Sequence, residues 1–449
     1  MIDLNSILYR GKHREARPRI RGMTAGVIAL SILILGACDS LLEVELPGQL
    51  RDTDLNDPNL ASVLAKSVQA DFDCALGRYV HAGGVYGNDL YVTTTDSRLR
   101  LTQLRSREME IFDQLECDQG PYPPILLPFQ IVRGTAEDYI GRINGFEAGS
   151  VADQAFLIGK LNAYAGYAYQ ILGETFCELA FDGGPSVSRA GTMALAEARF
   201  TSAITGLGSV SSSDATYYKN MALVGRARSR LNQGNGAGAV ADAQLVDVGF
   251  VALAEMDAGE SRRWNRIYDT VTDDQNETVH PDYIGLKVGT VEDPRIPLKH
   301  VGLGVGRDGI SDMWTQHKYD DLGADIPFAT YREAQLMIAE VQQGQTAVNI
   351  INALRASVSD LPHVASDHAS LPLPTFASTD AAEIKAQVWE ERRRELWLQG
   401  TKVGDILRLD IPGVTTDDFE TGTNQRGMEY GPHTCMPLPD VEKLQNPNL

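Results

Sequence analysis

Apolar residues along the chain recur mostly at steps of three and four, the period of a helix with one buried face. Asn56-Asp57-Pro58 opens the first such stretch, with a short polar cap and a proline suited to the first turn. Leu60, Val63, Leu64, Val68 and Phe72 continue it. Further helices are predicted over 106–115 and 128–144, the second with Ile131, Ala136, Tyr139, Ile140 and Ile143 on one side. In the next helix Ala155, Gly159, Ala163 and Gly166 form a strip of small residues, where a neighbouring helix can come close. Helices over 192–207, 215–232 and 236–248 follow, joined by short turns rich in Gly, Ser and Asp.

Two regions break the pattern. From 81 to 100, Gly83, Gly84, Gly87 and the run from Tyr91 to Thr95 predict a loop with extended pieces. Between 250 and 325 the periodicity fades among many Gly and Asp. Gly304, Gly306 and Gly309 there match the dinucleotide-binding spacing, but no helix begins on them, so they are read as a turn. Strong helical patterns resume over 327–340 and 347–357. In the last one, Ile384, Val388 and Leu398 share a face with Glu391 and Glu395 between them. Carboxylates on an apolar line are costly to bury unless paired, and Arg392, Arg393, Arg394 and Arg408 are the nearby partners for an ionic lock. Gly400 is predicted to stop this helix, and Trp389 and Trp397 are assigned to packing. The expectation is a mainly α protein: tetratricopeptide-like helix pairs with loop-rich insertions and little β structure.

At 449 residues the chain can bury a large core, and 43% hydrophobic with 22% charged residues is an ordinary globular balance. A net charge of −20 argues against nucleic acid as a partner, because phosphates are repelled. The first residues change the picture. Arg10, Lys12, Arg14, Arg17, Arg19 and Arg21 precede an apolar run over 24–35, too short for a bilayer span of ~20 residues. The run ends in Leu35-Gly36-Ala37-Cys38, which resembles a bacterial lipobox. That resemblance implies a signal peptide over 1–37 and lipidation of Cys38, with diacylglycerol on its sulfur and a further acyl chain such as palmitate. A tether over 38–55 and one domain over 56–449 would follow. The remaining cysteines, Cys74, Cys117, Cys177 and Cys435, show neither Cys-x-x-Cys spacing nor a His cluster, so no zinc site is expected. In an exported chain they predict two disulfides, with three connectivities open.

The Glu391-Arg392-Arg393-Arg394-Glu395-Leu396 stretch, followed by Gly400, Asp405 and Arg408, resembles the C-terminal signature of the SusD/RagB family. Gln399, Lys402 and Val403 depart from it, where an acidic residue, Arg and an aromatic are common. Further blocks resemble the family in order: Phe181 to Pro185, the Lys318-Tyr319 element, Arg332 with Leu336, Ala339 and Glu340, Asn352 with Arg355, and the Pro437, Pro439, Asn446-Pro447 ending. The resemblance runs from the lipobox to the last residue. It implies a lipoprotein on the outer face of the outer membrane that binds a nutrient, usually an oligosaccharide. The partner it implies is a SusC-like TonB-dependent transporter. It also implies that Glu391, Arg392, Arg394, Glu395, Asp405 and Arg408 are scaffold, not ligand site.

No His-Glu-x-x-His, Gly-x-Ser-x-Gly or phosphate-binding-loop sequence is present, and the eight His are scattered. A binding protein without catalysis, metal or cofactor is therefore expected. Sugars present apolar C–H faces on which aromatic rings stack. Trp314, Trp264 and Tyr86, then Tyr268 and Tyr319, lie in loop-rich regions and are the candidate ligand residues. The 7% aromatic content mildly favours an alternative cargo such as a peptide, and a surface glycosidase is the second alternative.

Overall fold

The computed structural model describes residues 52–106, 117, 125–365, 368, 371–409 and 419–449. The signal peptide and Cys38, nearly all of the tether, and the helix expected over 106–115 lie outside these residues. Of the chain up to Leu55 only part of a 3-10 turn, Asp52–Asn56, is described; Asn56–Leu449 forms one compact unit.

Asp57 caps the entry turn by accepting from the backbone N–H of Asn59, and α1 (Ala61–Tyr86) follows. The helix runs on through Gly83 and Gly84, where a loop was expected. Its whole last turn is buried, and those glycines lie against Tyr79 and Leu90, so packing overrides the weak helix propensity of glycine. β1 (Leu90–Val92) and α2 (Ser97–Gln103), capped by Asp96, come next. Then α3 (Leu126–Gly145) packs on α4 (Gln154–Thr175), which is followed by the small hairpin of β2 (Glu178–Leu179) and β3 (Val187–Ser188). The helices α5 (Arg189–Leu207), α6 (Ser213–Asn232) and α7 (Gly236–Ala243) each pack on the one before. The small-residue strip of α4 sets the distance to α5: a Cβ at Gly166 would lie 2.7 Å from Phe200, and one at Gly159 2.5 Å from Leu207. The core beneath is aromatic, with Phe72, Tyr167, Phe200 and Phe328 in ring contacts of 4.9–6.1 Å.

The loop-rich insertion lies between β4 (Val251–Ala254) and a later strand that pairs with it antiparallel. It holds β5 (Glu277–Val279), antiparallel to β1, the pair β6 (Lys287–Val288) and β7 (Val291–Glu292), and the pair β8 (Leu298–Gly302) and β9 (Met313–Gln316). The strand that pairs with β4 is β10 (Ile326–Thr330), so the helix expected from 327 begins four residues later. Thr330 makes the boundary: its hydroxyl accepts from Glu333 N–H and caps α8 (Tyr331–Gln342). α9 (Gly344–Ala356), α10 (Ala381–Glu395), α11 (Lys402–Leu409) and α12 (Asp440–Gln445) complete the chain. α10 stops at Glu395, before Gly400; Leu398 takes a left-handed φ of 55° and so is not on the helical face. Gly400 is still required, since its φ is 75° and a Cβ there would lie 2.9 Å from Tyr79.

Glu391 and Glu395 are buried and fully paired, but not with the arginines beside them. Glu391 accepts from Arg295 at 2.5 Å and from Arg355 Nε at 2.8 Å; Glu395 pairs with Arg332 and lies 3.4 Å from Arg295. Adjacent helix residues leave different sides, so Arg392 turns to Asp405 (2.7 Å), while Arg393 and Arg394 each reach Glu390 at 2.8 Å. Arg408 joins Asp405 and Glu340, each at 2.9 Å. Burial pushes the Asp293 carboxyl up, but Arg295 and Arg394 outweigh it and bring it down to about 2. Glu395 and Asp405 are likewise held below their ordinary values by arginines that outweigh burial. Depressed carboxyls contribute stability above their unfolded values, about 4, and lose it as pH falls through the folded ones. Tryptophan fluorescence should therefore report unfolding between about pH 4 and 2. Asp293→Asn should flatten that slope; an unchanged slope would place the acid sensitivity elsewhere.

Of the three connectivities, the structure has Cys74–Cys117 and Cys177–Cys435. The second sits beside a short parallel bridge, with Met436 N–H donating to Thr175 and Cys177 N–H to Met436.

Candidate binding face

The five candidate rings are scattered, and among the described residues no ring contact joins any two of them. Tyr86, on the last turn of α1, is fully buried; its hydroxyl donates to the His433 carbonyl and its ring meets Phe419 edge-on. Tyr319 is also buried, donating to the Leu398 carbonyl at 2.9 Å. Both are core residues and not ligand contacts, since a buried tyrosine finds an internal acceptor as these do. Tyr268 opens a π-helical turn and is half-buried. Trp264, also partly buried, donates from Nε1 to the Ala258 carbonyl at 3.0 Å beneath the Arg266 guanidinium.

Trp314 stands differently. It lies directly opposite His300 in the β8–β9 ladder, and cross-strand partners project to the same face. Their rings are 4.5 Å apart and tilted by 33°. Asp312 ties them together: Oδ2 accepts from Trp314 Nε1 at 2.9 Å, and Oδ1 lies 2.7 Å from His300 Nε2. The side chains of His300 and Asp312 are 48% and 42% exposed, so the group is open to solvent. Hydrogen bonds from Trp314 and His300 hold the Asp312 carboxyl below its ordinary value. From beneath, the Thr278 hydroxyl accepts from Trp314 N–H (2.8 Å) and donates to the Asp312 carbonyl (3.0 Å). The turn after β8 exposes Leu303, Val305 and Ile310.

Thr278 also stands opposite Tyr91 in the β1–β5 ladder, which brings a second cluster to the adjoining strands. The Tyr91 ring lies 5.2 Å from His280, and its hydroxyl lies 3.2 Å from that of Tyr430. Tyr430 donates to Glu420, which also meets His280 Nε2 at 3.1 Å. Burial raises the Glu420 carboxyl, but the bonds from His280 and Tyr430 outweigh it and lower it overall. Buried Arg105 lies under the rings of Phe419 and Tyr430. Arg426 fastens this segment to the glycine turn by donating to Asp308 (3.0 Å) and to the Thr94 carbonyl (2.8 Å). The turn closes on itself, Gly309 N–H donating to Gly306.

Flat rings beside carboxylate acceptors can hold the apolar face of a sugar and its hydroxyls together. His300, Asp312, Tyr91, His280, Glu420 and Tyr430 are not legible from sequence as a group, because strand pairing between distant segments and hydrogen bonds from the 420–430 segment bring them to these strands. Among the described residues no cluster of three or more His, Cys, Asp or Glu is placed to hold a metal, and no helix is long and apolar enough to cross a membrane.

No family sequence model matches the chain, and no curated protein matches it in sequence. Solved structures do match in shape. A SusD-like carbohydrate binding protein from Bacteroides vulgatus superposes at TM-score 0.61 with 15% identity, covering 88% of this chain and 97% of that one. A SusD homolog from Bacteroides thetaiotaomicron gives 0.63 with 14% identity, covering 89% and 98%. A SusD superfamily protein from Parabacteroides distasonis gives 0.59 with 12% identity, covering 89% and 99%. With 88–89% of this chain and 97–99% of each neighbour covered, the chain has the SusD-like fold.

Proposed function

We propose that this protein is a SusD/RagB-family lipoprotein of the outer membrane, facing outward, that binds an oligosaccharide and passes it to a SusC-like TonB-dependent transporter. The observation that carries the binding reading is the exposed His300 ring beside half-buried Trp314, with Asp312 between their ring nitrogens, set on a SusD-like scaffold. The Bacteroides vulgatus neighbour is a carbohydrate binding protein, which favours a glycan over a peptide as cargo. A shallow face with two rings suits capture at micromolar-to-millimolar strength, about −4 to −8 kcal/mol, followed by release. No bond chemistry is needed for that cycle.

Trp314→Ala should weaken glycan retention by about tenfold and lower the melting temperature by only about 2–4 °C, because the ring is partly exposed and packs against the core with the rest of its surface. Calorimetric titration with a glycan panel and a thermal melt measure the two together. Undiminished binding would remove this face from the site, and a large fall in melting temperature would make the ring a core element. Retention of peptides alone would change the cargo, and turnover of a labelled glycan would make the protein an enzyme. For the anchor, Cys38→Ala should shift the protein from membranes to the soluble fraction. Unaltered membrane partition in that variant would refute lipidation.

A further inference from the structure

We infer that the His300–Trp314 face selects uncharged glycans, and that Asp312 is the residue that turns acidic ones away. This rests on the glycan-binding reading above and adds the charge class of the ligand. Asp312 accepts one ring nitrogen at each carboxylate oxygen, and each oxygen offers two lone-pair sites. One acceptor site on each oxygen is therefore left for a ligand hydroxyl resting on the rings. An ionised carboxylate offers no donor, so a uronate or sulfate ester in the same place meets only like charge.

The surroundings do not compensate. The open carboxylates of this region are Asp312 (42%), Asp282 (41%) and, less open, Glu420 (28%), and its open cation is Arg307 (53%). Its cations are spoken for or turned away. Arg307 donates to the Asp274 carbonyl at 2.8 Å and lies 3.5 Å from its carboxylate. Arg426 is paired with Asp308, and Arg105 is only 2% exposed. Lys299 neighbours His300 in β8, and alternation along the strand sends it to the opposite face. A ligand with its own anionic group would find cations already engaged by Asp274 and Asp308, buried, or on the opposite face of the strand.

The experiment uses the full chain and a panel of gluco-, galacto- and manno-tetraoses with their C6-oxidised uronate counterparts, titrated calorimetrically at pH 8. At least one neutral tetraose is expected to bind, with its uronate counterpart about tenfold weaker at low salt. That gap should shrink as salt screens the carboxylates. Asp312→Asn keeps an acceptor oxygen and removes the charge, so it should narrow the gap to within about threefold. A purely structural role for Asp312 would weaken both ligands alike and leave the ratio and its salt dependence where they were. Uronates binding as well as neutral sugars would overturn the charge selection while leaving the glycan reading intact. An unchanged ratio in Asp312→Asn would overturn the role of that residue. Failure of every sugar to bind would overturn this inference together with the function it rests on.

Discussion

Glu391→Ala is expected to destabilise the protein by about 3–5 kcal/mol. The carboxylate is 1% exposed and is shared by Arg295 and Arg355, so its removal leaves buried Arg355 without its carboxylate partner and leaves Arg295 to Asp293 and Glu395. The loss comes mainly from that uncompensated charge, since a buried ion pair is of modest net value when intact. Glu390 is the internal control. It stands one residue away, pairs with Arg393 and Arg394, and is 26% exposed, so Glu390→Ala should cost less, about 1 kcal/mol. Urea denaturation of the two variants separates them by midpoint. Equal, small losses would show that the Glu391 site is solvated after all.

Replacing Cys177 and Cys435 together by serine should cost about 2–5 kcal/mol. The bond joins residues 258 apart, whereas Cys74–Cys117 spans 43, and the entropy withheld from the unfolded chain grows with the logarithm of loop length. On that basis the longer closure contributes about 1.5 kcal/mol more than the shorter one. It also pins the backbone pairing of Met436 with Thr175 and Cys177, which holds the C-terminal segment against the end of α4. Unfolding of each paired-serine variant, with and without reductant, measures both contributions. Should the Cys177/Cys435 variant match the parent protein, the link would be ornamental to stability.

The helices of the scaffold are readable as long apolar runs at helical spacing, even where α1 and α4 are buried on all sides, and the α4 strip of Gly159 and Gly166 announces the close approach of α5. Gly83 and Gly84 misled, since their helical state depends on burial against Tyr79 and Leu90 and not on local preference. The strand over Ile326–Thr330 was hidden for a similar reason: its pairing with Val251–Ala254 lies some seventy residues back along the chain. Glu391 and Glu395 were recognisable as buried, yet Arg295, Arg332 and Arg355 lie 96, 63 and 36 residues from their acidic partners. Of the candidate rings, half-buried Trp314 alone lies against an exposed ring, and His300 is its neighbour only through the β8–β9 register. Tyr86 and Tyr319 carried no local mark of burial, because a tyrosine in a glycine-rich stretch reads the same whether it faces water or the core.

The positions of those buried acids have a temporal consequence. Arg332 and Arg355 leave the ribosome before the carboxylates that neutralise them, and Cys177 leaves long before Cys435. A nascent chain stopped short of α10 holds two guanidiniums, those of Arg332 and Arg355, whose carboxylate partners are still missing, so burying them would be costly. The last segment thus supplies the carboxylates on which Arg332 and Arg355 depend, and a chain truncated before it is expected to leave the earlier helices incompletely closed.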